Sequence, residues 1–122
     1  MTENVPIRVV VVEDEEALRR LLEGYLVRAG CSVTTFARAQ PLLERLESGT
    51  AEWDVAIVDL NLPDVCGEQV AVRLLESWPD IRVVVTSGLP WNPQAIAAGR
   101  DRVRFLQKPY RPAQLLEMIR SF

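Results

Sequence analysis

The chain has 122 residues, of which 48% are hydrophobic and 25% charged, and a formal net charge of −3. This size predicts one domain, residues 1–122, that buries about two thirds of its unfolded surface. No apolar stretch approaches the roughly 20 residues of a membrane span, and no secretory signal is visible, so we expect a cytoplasmic protein. The sequence has two cysteines and no histidine, which excludes an internal imidazole base and the usual zinc sites. Scattered Lys and Arg form no basic stripe, which argues against nucleic acid binding.

Short apolar segments alternate with segments of helical periodicity along the chain. The apolar runs predict five strands, at residues 7–12, 31–36, 55–58, 81–85 and 103–107. A helical pattern follows each strand, and the one at residues 92–99 predicts only about two turns, the least stable element. This alternation predicts a doubly wound α/β fold with a five-stranded parallel sheet and five helices.

Residues 53–67 contain the first functional signal. A four-residue apolar run, which we expect to be buried on both faces, ends in Asp59, and turn formers such as Pro63 and Gly67 then lead into a loop. The carboxylate would lie at the carboxyl edge of the sheet, where open α/β folds bind their ligands. The alternative is that Asp59 simply ends a strand.

Four of the five predicted strands end with a group that can bind phosphate or a metal ion. In chain order these groups are Glu13 with Asp14, Asp59, Thr86 with Ser87, and Lys108. If the strand order is 2-1-3-4-5, as in flavodoxin-like folds, the strand ends are neighbours. The first two acids could instead favour the start of the next helix, and Thr86 and Ser87 could be ordinary turn residues. As an ordered set, the groups predict one shared pocket.

The acids of this pocket need a positive partner, since two carboxylates about 4 Å apart repel by roughly 4 kcal/mol at an effective dielectric constant of 20. Lys108 can offset part of the charge and a divalent cation the rest. Oxygen ligands favour Mg²⁺. We expect Asp14 and Asp59 to be direct ligands, the backbone carbonyl of Asn61 to be a third, and Glu13 to act through water.

With a cation in place, Asp59 can attack a phosphoryl group as a carboxylate nucleophile. Lys108 and the Thr86 hydroxyl would then bind the phosphoryl oxygens as charge develops. The predicted chemistry is therefore phosphoryl transfer to an aspartate.

The chain resembles the receiver domain of two-component response regulators over essentially its full length. The matching residues are 11–15, Asp59 with Asn61, Pro63 and Gly67, Thr86 with Ser87 and Gly88, Phe105, and Lys108 with Pro109. The resemblance implies that Asp59 accepts phosphate from a histidine kinase or a histidine phosphotransfer protein in a Mg²⁺-dependent reaction. It also implies that Thr86 and Phe105 are switch residues that remodel the face made by the fourth helix, fifth strand and fifth helix. In the family the peptide corresponding to Lys108-Pro109 is usually cis.

Several residues leave alternatives open. Phe105 stands where the family often has tyrosine, so it has no phenolic hydroxyl. The alternative to a switch role for Phe105 is that of a core aromatic. Asn61 and Gly88 occupy positions that tune phosphate lifetime in the family. Trp91 could contact a partner or pack on its own loop.

Three functions are compatible with these residues. The first is a phosphorylatable receiver, a monomer or weak homodimer that acts on an output partner protein or domain and is not a turnover enzyme. The second is a constitutive interaction module with a receiver fold. The third is a small-molecule phosphohydrolase with an aspartate nucleophile, although such enzymes often carry a second acid where this chain has Asn61.

Overall fold

The structure is a computed structural model that describes residues 5–96 and 100–122. One parallel sheet forms the centre of the molecule. Its strands are β1 (Arg8–Val12), β2 (Ser32–Phe36), β3 (Val55–Asp59), β4 (Arg82–Ser87) and β5 (Val103–Gln107). All neighbouring pairs are parallel, and the order across the sheet is β2-β1-β3-β4-β5. The predicted doubly wound, flavodoxin-like sheet is therefore confirmed.

Helices cover both faces of the sheet. Within the described residues they are α1 (Glu16–Arg28), α2 (Ala39–Leu46), α3 (Gly67–Ser77) and α4 (Pro112–Arg120). None of these helices is both long enough and apolar enough to cross a bilayer.

The connection between β4 and β5 differs from its prediction. Of the two-turn helix expected at residues 92–99, the described part is a single 3₁₀ turn, Pro93–Ala95, and residues 97–99 lie outside the described residues. A second 3₁₀ turn, Arg100–Arg102, leads into β5. The described residues thus contain four α-helices and not five. So short a segment gains few hydrogen bonds against the cost of nucleating a helix, and Pro93 contributes no N–H.

Alternate side chains of the buried strands enter two apolar layers. Val10 and Val12 pack on the side of α2 and α3, whereas Val9 and Val11 pack on the side of α1 and α4. The four valines are 0–1% exposed, so β1 is buried on both faces, as its continuous apolar run predicts. The two layers hold the strands rigidly and fix where each strand ends.

The sheet hydrogen bonding continues past the strand ends toward the loops. The amide of Leu60 donates to the Thr86 carbonyl at 2.9 Å, and the amide of Lys108 donates to the Ser87 carbonyl at 2.8 Å. Within the ladder, Asp59 is directly opposite Thr86. The backbone therefore fixes Asp59, Thr86 and Lys108 at the same edge of the sheet.

Candidate functional site

A buried carboxylate at the end of the central strand is the core of the site. Asp59 is only 3% exposed, and its Oδ2 accepts a hydrogen bond from Lys108 Nζ at 3.1 Å. The same ammonium donates to Oε1 of Glu13, which is 2% exposed, at 3.0 Å. One lysine therefore bridges two buried acids from different strands, because β1, β3 and β5 deliver them to one edge.

Three carboxylates in this pocket could hold a cation. Oxygen atoms of Glu13, Asp14 and Asp59 all lie within 4.8 Å of one another, and Asp14 is exposed to solvent. With all three ionised, the single ammonium of Lys108 leaves the group with net negative charge. Carboxylate oxygens are hard ligands of the kind that Mg²⁺ prefers. The residues present therefore fit a divalent cation.

The protonation states in the pocket follow from burial and pairing. Burial raises the pKa of Glu13 to about 7, although hydrogen bonds from Lys108 and from the amide of Glu15, at 3.1 Å, oppose the rise. For Lys108, burial lowers the pKa, but the hydrogen bonds to Glu13 and Asp59 outweigh it and the net direction is upward. Lys108 is therefore an ammonium at neutral pH, and the pKa of Glu13 lies close to neutral pH.

The loop after β3 folds tightly against the end of its own strand. The amide of Asn61 donates to Asp59 Oδ1 at 3.1 Å, and the amide of Gly67 donates to the Leu60 carbonyl at 3.2 Å. A Cβ added at Gly67 would lie 2.2 Å from the Asp59 carbonyl oxygen and 2.6 Å from the Leu60 Cα. Only glycine allows this approach. The sequence interpretation of Gly67 as a turn former missed this steric requirement.

The two hydroxyl residues at the end of β4 are buried, with Thr86 1% and Ser87 3% exposed. Ser87 Oγ accepts a hydrogen bond from the amide of Leu89 at 3.1 Å. Ser87 therefore shapes the turn that follows β4, as its plainer interpretation predicts. Thr86 lies opposite Asp59 in the ladder, so the two residues are neighbours at the carboxyl edge of the sheet.

Two aromatic residues connect β5 with the segment after β4. The rings of Trp91 and Phe105 lie 6.0 Å apart at 58°, and both side chains are half-buried. The Trp91 indole N–H also donates to Glu68 Oε2 on α3 at 2.8 Å. Trp91 therefore packs on β5 and α3 and not only on its own loop. Glu68 was missed from the sequence, since nothing local pairs residues 23 positions apart.

Beside Lys108, the chain turns through a cis peptide to Pro109, as the family resemblance implies. Tyr110 follows, and its hydroxyl is buried with no hydrogen-bond partner among the described residues. Burial, together with the nearby charges of Glu13 and Asp59, raises the pKa of Tyr110 above its ordinary value. Tyr110 is therefore a neutral side chain close to the two buried acids.

The fold and site define a doubly wound α/β domain with an acidic, lysine-bridged pocket at the carboxyl edge of its sheet. The profile of the response regulator receiver domain matches residues 9–120. The chain belongs to this family, the receiver domains of two-component systems.

Curated relatives and solved structures are similar over nearly the whole chain. It is 36% identical over 115 residues to the KDP operon transcriptional regulatory protein KdpE of Escherichia coli strain K12, covering 92% of this chain and 49% of KdpE. It is 30% identical over 115 residues to the response regulator receiver protein CpdR of Brucella abortus strain 2308, covering 92% of each chain. A CheY-like receiver domain protein from Methanospirillum hungatei JF-1 superposes with a TM-score of 0.82 at 22% identity, covering 95% of this chain and 92% of that one. At that identity the superposition supports the fold alone.

The chain spans half or less of the length of several curated relatives that it matches. CpdR is a relative of similar length.

Proposed function

We propose that the chain is a phospho-accepting receiver in which Asp59 takes a phosphoryl group from a histidine kinase or a histidine phosphotransfer protein. The observation that carries the proposal is the buried Asp59 carboxylate, bridged by Lys108 and accompanied by Glu13 and Asp14 within 4.8 Å. Burial of two acids, Glu13 and Asp59, against one lysine is costly, and a phosphoryl-transfer site would account for the retention of both acids.

The reaction is a displacement at phosphorus. A carboxylate oxygen of Asp59 forms the new P–O bond, the P–N bond of the phosphohistidine breaks, and the imidazole leaves with the electron pair. These 122 residues contain no histidine, so the phosphohistidine donor lies outside them. Lys108 is already within hydrogen-bond distance of Asp59 and binds the oxygens of the transferred group, and Thr86 provides a hydroxyl on the neighbouring strand.

Mg²⁺ is the cofactor of the proposed reaction. Asp14, Asp59 and the backbone carbonyl of Asn61 would hold it directly, and Glu13 would act through water. When bound, the cation neutralises charge on the carboxylates and on the transferring oxygens.

Phosphorylation would change affinity for a partner through Thr86 and Phe105. A phosphoryl group on Asp59 adds negative charge opposite Thr86 in the ladder. Phe105 pairs with Val85, the residue before Thr86, and contacts Trp91. The surface formed by Trp91, β5 and α4 is therefore the proposed switching face for an output protein or domain. The product is a signalling state and not a released compound, so the chain is not a turnover enzyme.

Titration with beryllofluoride and Mg²⁺ tests the proposal. We expect amide resonances of Asp59, Thr86 and Phe105 to shift in the wild-type chain, and Asp59→Asn to show no such shift. Phosphotransfer from purified histidine kinases should label the wild-type chain and not the variant. Unchanged spectra together with absent labelling would reject the receiver function and favour a constitutive interaction module.

A further inference from the structure

We infer that Asp64 is a positioning residue for the cation site, because it ties the loop that carries Asn61 to the start of α2. The inference rests on the proposed function, since it concerns the same Mg²⁺ site. Asp64 is exposed and lies in the loop between β3 and α3.

The carboxylate of Asp64 caps a helix that lies far from it in the chain. Its Oδ1 accepts from the amide of Ala39 at 2.9 Å, and its Oδ2 accepts from the amide of Gln40 at 2.8 Å. The first amides of a helix have no partner within that helix. Arg38, the residue before α2, makes no side-chain cap. Asp64 therefore supplies, from the loop after β3, the cap that α2 lacks.

The same carboxylate also organises its own loop. Oδ1 accepts a third hydrogen bond, from the amide of Val65 at 3.0 Å. Although burial opposes ionisation, the bonds from the amides of Ala39, Gln40 and Val65 lower the pKa of Asp64. The positive end of the α2 dipole also favours a negative charge at this position.

The segment that Asp64 binds is attached at its other end to the acid loop of the site. The carbonyl of Phe36, the last residue of β2, accepts a hydrogen bond from the amide of Glu13 at 3.0 Å. The short connection from Phe36 to Gln40 therefore spans the distance between Glu13 and Asp64. The loop with Glu13 and Asp14 is in this way held at a fixed separation from the loop with Asn61.

Hydrogen bonds on the opposite side of the pocket complete a ring of contacts between these loops. The amide of Asn61 donates to Asp59 at 3.1 Å, and Lys108 joins Asp59 to Glu13. Every member of the proposed ligand set thus lies on a loop or strand end within one ring of hydrogen bonds. Within that ring, Asp64 is the side chain that holds the outer part of the Asn61 loop.

Mg²⁺ is sensitive to such positioning because it demands near-octahedral geometry at short oxygen distances. Partners outside the ligand set commonly change metal affinity by 10- to 100-fold when they are removed. A loosened Asn61 loop would lower the affinity even though Asp64 does not touch the cation.

The test compares Mg²⁺ binding to the full wild-type chain and to Asp64→Asn by isothermal titration calorimetry. The variant keeps the side-chain shape and one acceptor oxygen, and we expect its dissociation constant for Mg²⁺ to rise about tenfold. Asp64→Ala, which keeps neither oxygen, should weaken binding further. Amide hydrogen exchange at Ala39 and Gln40 should be faster in both variants, which verifies the hydrogen bonds independently of the metal.

Asp54→Asn provides a matched control. The Asp54 carboxylate also binds another segment, accepting from the amide of Arg8 at 2.9 Å and from its guanidinium at 2.9 and 3.3 Å. Asp54 precedes β3, at the end of the sheet away from Asp59. We expect this variant to lose stability in urea unfolding while keeping wild-type Mg²⁺ affinity.

Each outcome decides between structural and positioning roles. Wild-type Mg²⁺ affinity in both Asp64 variants would overturn the inference alone. Equal loss of affinity in Asp54→Asn and Asp64→Asn would also overturn it, since the effect would then follow general stability. A wild-type chain that binds no Mg²⁺ would overturn the proposed cation site and this inference together.

Discussion

The most unusual residue of the pocket is Glu13, a carboxylate that is 2% exposed and forms an ion pair with Lys108. Burial disfavours its ionised form more than the ammonium and the amide of Glu15 favour it. The sequence predicted that Glu13 and Lys108 would meet, because strands of a parallel sheet end at one edge. It could not predict the protonation state, which depends on how completely neighbouring side chains exclude water.

The pKa of Glu13 predicts a pH dependence of stability in the cation-free chain. The folded-state value of about 7 is above the ordinary value of 4.5, so the folded state binds this proton more tightly than the unfolded state. The stabilising contribution is complete below pH 4.5 and is lost as the pH rises through 7. The loss is at most roughly 3 kcal/mol, from about 1.4 kcal/mol per pKa unit.

Urea unfolding in the presence of a chelator, between pH 4.5 and 8, measures this effect. We expect the free energy of unfolding of the wild-type chain to fall across this range. Glu13→Gln has no proton to lose, so its profile should be flatter and it should be the more stable protein at pH 8. Parallel profiles for the two proteins would contradict the assignment.

Gly67 predicts a steric effect on stability. In Gly67→Ala the new Cβ meets backbone atoms of Asp59 and Leu60, which cannot move without disturbing the end of β3. We expect a loss of about 2 kcal/mol or more in the free energy of unfolding. Gly88→Ala is the matched control, because a Cβ there meets nothing within 4 Å, and it should change stability by less than about 0.5 kcal/mol. Equal losses in the two variants would show that the close approach is not responsible.

Among the elements, the segment between β4 and β5 is where the sequence interpretation was least accurate. Asn92 and Pro93 correctly indicate the start of a helical turn, but the described part extends only over Pro93–Ala95. Capping residues predict where a helix can begin. They do not predict whether the helix is long enough for its hydrogen bonds to offset the free-energy cost of nucleation. The contacts that hold this segment are instead tertiary, from Trp91 to Phe105 and Glu68, and no short-range pattern contains them.

Replacement of the Trp91 indole tests that tertiary contact. Trp91→Phe loses the N–H that donates to Glu68 but keeps a ring against Phe105. We expect the free energy of unfolding to fall by about 1 kcal/mol, the usual net value of a hydrogen bond. Glu68→Ala should cost a similar amount, and the double variant should cost less than the sum, as measured by urea unfolding followed by circular dichroism. Additive losses would indicate that the two residues act independently.

At the scale of the whole molecule, the order of strands was predictable, because a buried parallel sheet with alternating helices has few allowed topologies. The ring of hydrogen bonds around the acids was less predictable from the sequence. Asp64 reads as a turn residue in the sequence, yet it caps a helix that begins 25 residues earlier. Local patterns thus predicted the elements and the strand-end residues, whereas the contacts between loops required the folded chain.

Mg²⁺ should stabilise the entire domain by mass action. A ligand that binds only the folded state adds about 2.7 kcal/mol to the free energy of unfolding at 100 times its dissociation constant. We expect this increase in urea unfolding of the wild-type chain with Mg²⁺. Asp14→Ala removes a proposed ligand that is exposed, so it should lose most of the increase while unfolding normally without the cation. A full increase in Asp14→Ala would exclude Asp14 as a ligand.

The placement of the three tryptophans makes the molecule its own optical reporter. Trp53 and Trp78 are 4% and 3% exposed, pack against each other with ring centroids 5.5 Å apart and ring planes tilted by 45°, and precede β3 and β4. Trp91 follows β4, at the other end of the strands and in contact with Phe105. We therefore expect the emission of Trp53 and Trp78 to stay nearly constant, and a fluorescence change caused by events at the carboxyl edge of the sheet to arise mainly from Trp91. The kinetics of the proposed phosphorylation could then be followed in the unlabelled chain, with Trp91→Phe as the control that lacks the responsive indole.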